Sequence, residues 1–95
     1  MLIYGIIIKM TPEQIHNLVI ASDFPVPEDL DKSKSEGRFK YTNDGIEDDV
    51  EIYNYTGNTY LDISQYIGGT NILIAGKHSL KDLKQYYSWT YSTFK

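Results

Sequence analysis

The chain reads as a single α+β domain. Its predicted architecture has two layers in the order β-α-β-β-β-β-α, a mostly antiparallel sheet with helices largely on one face. Three observations predict this. The middle and later chain alternates apolar and polar residues with period two, the signature of strands with one buried face. Two helix-start signals, at Thr11 and Ser79, lie on either side of that region. A β-branched apolar run, Leu2-Ile3-Tyr4-Gly5-Ile6-Ile7-Ile8, stands near the N-terminus. Ninety-five residues make one domain, and alternating strands bracketed by helices favour a sheet covered on one side.

The first run is apolar on both of its alternating faces, so it predicts a central strand covered on two sides. Thr11-Pro12-Glu13-Gln14 follows as a helix start. Threonine can cap, proline is preorganised at the first helical position, and Gln14 completes a capping box. Ile15, Leu18, Val19 and Ser22 would share one face of that helix, and Phe24-Pro25-Val26-Pro27 would end it. Residues 25–37 are charged and poor in apolar side chains, which predicts a mobile surface loop, with a short helical turn at 27–31 as the alternative.

Phe39 and Tyr41 then share a face opposite Arg38 and Lys40. Val50 and Ile52 oppose Glu51, Tyr53 and Tyr55, while Leu61 and Ile63 oppose Tyr60, Asp62 and Ser64. Asn43-Asp44-Gly45 and Gly57-Asn58 supply turn chemistry between these runs, so a three-stranded antiparallel meander is expected. Gly68-Gly69 precedes a fourth run, 71–75. Ser79-Leu80-Lys81-Asp82 opens a second helix, with Leu80, Leu83 and Tyr87 facing the sheet and Trp89 or Tyr91 completing the contact.

Charge is segregated. Between Asp23 and Glu51 lie ten of the thirteen carboxylates, opposed only by Lys32, Lys34, Arg38 and Lys40. A one-sign field of this kind steers oppositely charged partners. The composition excludes much else. There is no cysteine, hence no disulfide framework, thiolate metal site or thiol nucleophile. No stretch is long enough to span a bilayer, and no secretory signal is recognisable, so a cytoplasmic protein without a membrane partner is expected. Scarce alanine and arginine with abundant isoleucine and tyrosine suit AT-rich coding sequence, a usage that many phages share.

The motifs that suggest chemistry fail on inspection. Asp31, Ser33 and Ser35 have the opening spacing of an EF-hand loop, but Glu36 stands where glycine is required and Thr42 where glutamate is required. Gly76-Lys77-His78-Ser79 lacks the upstream glycine of a Walker loop, its place being taken by Asn71. Asn54-Tyr55-Thr56 matches a glycosylation acceptor by chance in a chain read as cytoplasmic. His16 is expected at the surface, and Ser79 near His78 is explained by helix capping rather than by a triad. The expected protein is therefore non-enzymatic and cofactor-free. It would inhibit or modulate a protein partner with a basic surface, as a phage-encoded inhibitor of host defence or an immunity protein does. Its predicted contact residues are Asp44, Glu47, Asp48, Asp49, Glu51, Tyr53, Tyr55 and Tyr60. Tyr53, Tyr55 and Tyr60 would also suit a single-stranded nucleic-acid platform, but the acidic balance argues against phosphate binding. A small-molecule or nucleotide pocket near Lys77 is the other alternative, and an exposed sheet edge would allow a homodimer.

Overall fold

The computed structural model describes residues 9–64 and 70–94. The N-terminal apolar run and the Gly68-Gly69 break lie outside the described residues. Within them the elements are α1 (Pro12–His16), β1 (Val19–Ala21), β2 (Ser35–Asn43), β3 (Ile46–Tyr55), β4 (Asn58–Ile63), β5 (Thr70–Ile74) and α2 (Leu80–Phe94). The five strands form one antiparallel sheet in the order β1-β5-β4-β3-β2. The fold is α+β, and the expected meander is present and extended by β5.

Two tight turns set the register of the meander. Asp44 and Gly45 both have positive φ, 52° and 77°, as do Thr56 and Gly57, 50° and 85°. Both are two-residue loops with the backbone signs of a type I′ turn, whose twist matches that of the flanking strands. The second turn is centred one residue earlier than Gly57-Asn58 suggests. It leaves the β-branched Thr56 in a conformation that such residues rarely adopt.

The register lays Val50 and Ile52 of β3 beside Leu61 and Ile63 of β4, and these beside Ile72 and Ile74 of β5. On this face sits α2. It starts where Ser79 Oγ accepts from the Asp82 amide at 3.1 Å. Leu83, Tyr86, Tyr87 and Tyr91 recur at spacings of three and four, and they join the sheet residues in the main core. Leu80, expected on this face, is instead largely exposed near Gly37, one turn outside the buried stripe.

α1 is shorter than the sequence suggests. The capping box forms as expected, with Thr11 Oγ1 accepting from the Gln14 amide and Gln14 Oε1 accepting from that of Thr11. The helix nevertheless ends at His16, and Asn17 closes it. Positions 18, 19 and 22 fit a helical face, but Val19 and Ile20 are β-branched and β5 offers an open edge. The chain pairs there instead, with Val19 opposite Ile74, the Ala75 amide donating to Leu18 O and the Phe24 amide to Asn71 O. The charged loop is also shorter than expected, because Ser35, Glu36 and Gly37 already belong to β2. Among the described residues no helix is long and apolar enough to cross a membrane.

Candidate binding face

The sheet has two unlike faces, and strand parity decides which carboxylate meets which. Along β3, Asp48, Val50 and Ile52 point toward α2, while Glu47, Asp49, Glu51, Tyr53 and Tyr55 point away from it. The acidic run therefore splits. Asp48 is only 1% exposed, and its Oδ2 accepts a hydrogen bond from the Tyr87 hydroxyl of α2. Its Oδ1 is buried without a hydrogen-bond partner. Phe39, Tyr41 and Tyr91 ring Tyr87 at centroid distances of 5.2–6.0 Å, so this carboxyl group ends in an aromatic wall. Asp48 belongs to the core and has left the predicted contact surface.

The outer face is ordered in rows. Arg38 of β2, Glu51 of β3, Asp62 of β4 and Asn71 of β5 form one row, and Lys40 with Asp49 forms the next. Arg38 holds Glu51 Oε1 with both Nε and Nη2, at 2.8 and 2.7 Å. Lys40 Nζ lies 3.4 Å from Glu47 and 3.6 Å from Asp49. Four carboxylates thus meet two cations on this face. Glu47 and Asp49 keep about half of their side-chain area open, at 56% and 45%, whereas Glu51 keeps 18%. The Ser35 hydroxyl, followed by the Arg38 guanidinium, holds the Glu51 carboxyl below the ordinary glutamate value. Asp44 stands exposed in the turn at the end of this face.

Directly opposed Glu51 and Asp62 repel each other, and two neighbours answer that. Arg38 takes one side. On the other, Asn71 with its amide nitrogen toward Asp62 donates to Oδ1 at 3.1 Å and accepts from the Tyr60 hydroxyl at 3.3 Å.

The tyrosines do not form the exposed platform the sequence predicts. Tyr60 is 0% and Tyr53 7% exposed, and only Tyr55 is half open. Phe24 and Leu30, carried by the loop between β1 and β2, cover them together with Leu73, and Phe24 lies 5.8 Å from Tyr60 and 6.1 Å from Tyr55. The loop is tied down where the Ser33 amide and hydroxyl both donate to Asp31 Oδ1, at 3.0 and 2.6 Å. Burial, with Asp62 and Tyr53 adding to it, pushes the Tyr60 hydroxyl up to about 12. A ring must show its flat face to stack a base, so Tyr53 and Tyr60 are lost to nucleic acid as well as to a protein partner.

The remaining candidates are equally plain. The cavity beside Lys77 and His78 measures about 120 Å³, well under the roughly 300 Å³ at which ligand pockets begin. His78 Nε2 donates to Ala75 O at 2.9 Å, which closes the turn before α2. His16, expected at the surface, is half-buried, 5.0 Å from Phe94 and 5.5 Å from Trp89 between ring centroids. Among the described residues no group of three or more acidic or imidazole side chains could hold a metal ion. Asp62 was not among the predicted contact residues, although its parity with Tyr60 already placed it on the outer face. Comparison of the chain with family models, with curated proteins and with solved structures finds no match.

Proposed function

We propose that the protein is a non-enzymatic binding protein that docks a basic macromolecular surface against the outer face of its sheet. The contact would centre on Glu47 and Asp49, flanked by Asp44, Glu51 and Asp62, with Tyr55 at its rim. The observation that carries this reading is the register. It sets Glu47, Asp49 and Glu51 on one face at every second position, with Asp62 alongside, and leaves Glu47 and Asp49 half open. Arg38 pairs with Glu51, and Lys40 with Glu47 and Asp49, so a partner's lysines and arginines meet an ordered array. Asp48, Tyr53 and Tyr60 are not part of the contact, because each is enclosed.

The role that fits this surface and the residue usage is that of a cytoplasmic, phage-encoded inhibitor of a host defence or host enzyme, or of an immunity protein that covers a toxin's basic site. Contacts of this kind weaken as salt rises, because the attraction is screened within roughly 8 Å at physiological ionic strength. The test is paired capture from host lysate with wild type and with the Glu47→Lys, Asp49→Lys double variant. A protein recovered by the wild type, released by salt and not recovered by the variant supports the reading. The same proteins recovered equally by a folded variant would overturn it.

A further inference from the structure

The connection from β1 to β2 joins opposite edges of the sheet, and residues 22–34 make that crossing on the outer side. Four strand spacings make the crossing about 19 Å, while a chain of this length reaches about 43 Å when extended, so the strap carries slack. Of these residues only Phe24, Pro27 and Leu30 are half-buried, and the rest are exposed. Phe24 and Leu30 close over Tyr53, Tyr60 and Leu73, a cluster separate from the main core on the α2 side. The strap is hydrogen-bonded to the sheet at its start, where the Phe24 amide donates to Asn71 O at 3.1 Å and Thr70 Oγ1 donates to Ser22 O at 2.7 Å. Farther along, its backbone bonds are internal, from the Leu30 amide to Pro27 O and from the Lys34 amide to Asp31 O.

We infer that residues 22–34 form a gate: the strap lifts as a unit off Tyr53 and Tyr60 while the main core stays folded, and cationic charge docked on the acidic face holds it shut. Lifting frees two half-buried apolar side chains and the hydrogen bonds at the strap's start, and leaves Ile52, Leu61 and Leu83 packed. Local openings of this kind lie below global unfolding in free energy. The internal bonds keep the strap's shape as it moves. Charge sets its balance. Asp23, Glu28, Asp29 and Asp31 against Lys32 and Lys34 leave the strap net −2. Glu47, Asp49, Glu51 and Asp62 against Arg38 and Lys40 leave the acidic rows net −2 as well. The row beneath the strap, Tyr53 with Tyr60, is two residues from that of Glu51 with Asp62, so the like charges stand roughly 10 Å apart. Their repulsion favours the lifted strap, and cations that neutralise the face favour the closed one. Linkage is reciprocal, so the closed strap adds its negative field to the face and tightens its hold on a basic partner. This gives the proposed contact a regulator and rests on that reading for the partner. Tyr53 and Tyr60 stay enclosed in the docked state.

Amide hydrogen exchange tests the gate by comparing Phe24, whose amide reports the strap's contact with β5, with Leu61 in the central strand β4. Relative to their unfolded rates, Phe24 should exchange at least about a hundredfold faster than Leu61, and urea below the unfolding transition should not change its rate. Raising sodium chloride from about 10 to about 500 mM, or adding a hexalysine peptide at low salt, should slow Phe24 about fivefold and Leu61 far less. Glu28→Lys, at an exposed position, neutralises the strap and should remove most of that response. A Phe24 amide that shares the protection and urea dependence of Leu61 would overturn the inference. So would exchange that salt and hexalysine leave unchanged, or a Glu28→Lys variant that responds as wild type does. None of these readings needs the host partner, so a failure here is told apart from a failure of the capture experiment.

Discussion

Replacing Asp48 and Tyr87 singly and together should produce strongly non-additive stabilities. Asp48 is 1% exposed, with one oxygen bonded to the Tyr87 hydroxyl and the other without a partner. Leaving a polar atom buried and unsatisfied costs about 1–3 kcal/mol. Tyr87→Phe strips the carboxyl group of its donor and should cost about 2 kcal/mol. Asp48→Val removes the unsatisfied oxygen and suits a strand, but it takes this acceptor from the Tyr87 hydroxyl. These two terms nearly cancel, so the variant should lie within about 1 kcal/mol of wild type. The double variant removes both polar partners and should be at least as stable as wild type, which gives a coupling of about 2 kcal/mol. Urea unfolding at neutral pH, extrapolated linearly to water, measures all four proteins. Additive losses, or a large loss for Asp48→Val alone, would refute the placement of Asp48 in the core.

Other expectations follow from the same packing. Leu83 is fully enclosed between α2 and the sheet, and Leu83→Ala should cost about 3 kcal/mol in the same urea assay. Thr56 occupies a left-handed turn position that asparagine tolerates, so Thr56→Asn should raise stability by about 1 kcal/mol and shift the thermal midpoint upward. The Tyr60 hydroxyl is held at about 12, above its unfolded value, so the stability it confers is complete below about pH 10 and falls as pH climbs toward 12. Ultraviolet titration should show this late tyrosinate, and Phe24→Ala, which uncovers the ring, should bring it earlier. The Glu51 carboxyl is held low, so its contribution is present above the ordinary glutamate range and fades as pH drops through the lowered value. Arg38→Gln should move that acid limb to higher pH.

The sheet was legible because its signals are local. Val50, Ile52, Leu61 and Ile63 declare their face by parity, and Asp44-Gly45 declares its turn. Both helix caps were equally readable at Thr11 and Ser79, since a cap needs only three or four consecutive residues. What failed depends on distant partners. Asp48 shares the parity of Val50 and Ile52, so its direction was written in the chain, but its hydroxyl partner lies thirty-nine residues away. Tyr53 and Tyr60 lie on the face the alternation assigns, yet Phe24 and Leu30 come from a loop whose composition reads as solvated. At α1 the pattern was ambiguous. Leu18 and Val19 satisfy a helical face and a short strand alike, and the open edge of β5 decided for the strand.

The proposed contact requires Glu47 and Asp49 to face a partner while Asp48 faces the core. Carbodiimide labelling of carboxyl groups, read by peptide mass spectrometry on the free protein and on the complex recovered from host lysate, tests both halves at once. Glu47 and Asp49 should label readily in the free protein and be protected in the complex, with Asp48 unreactive in both. Equal labelling of Glu47 and Asp49 in the two states, or ready labelling of Asp48 in the folded protein, would contradict it.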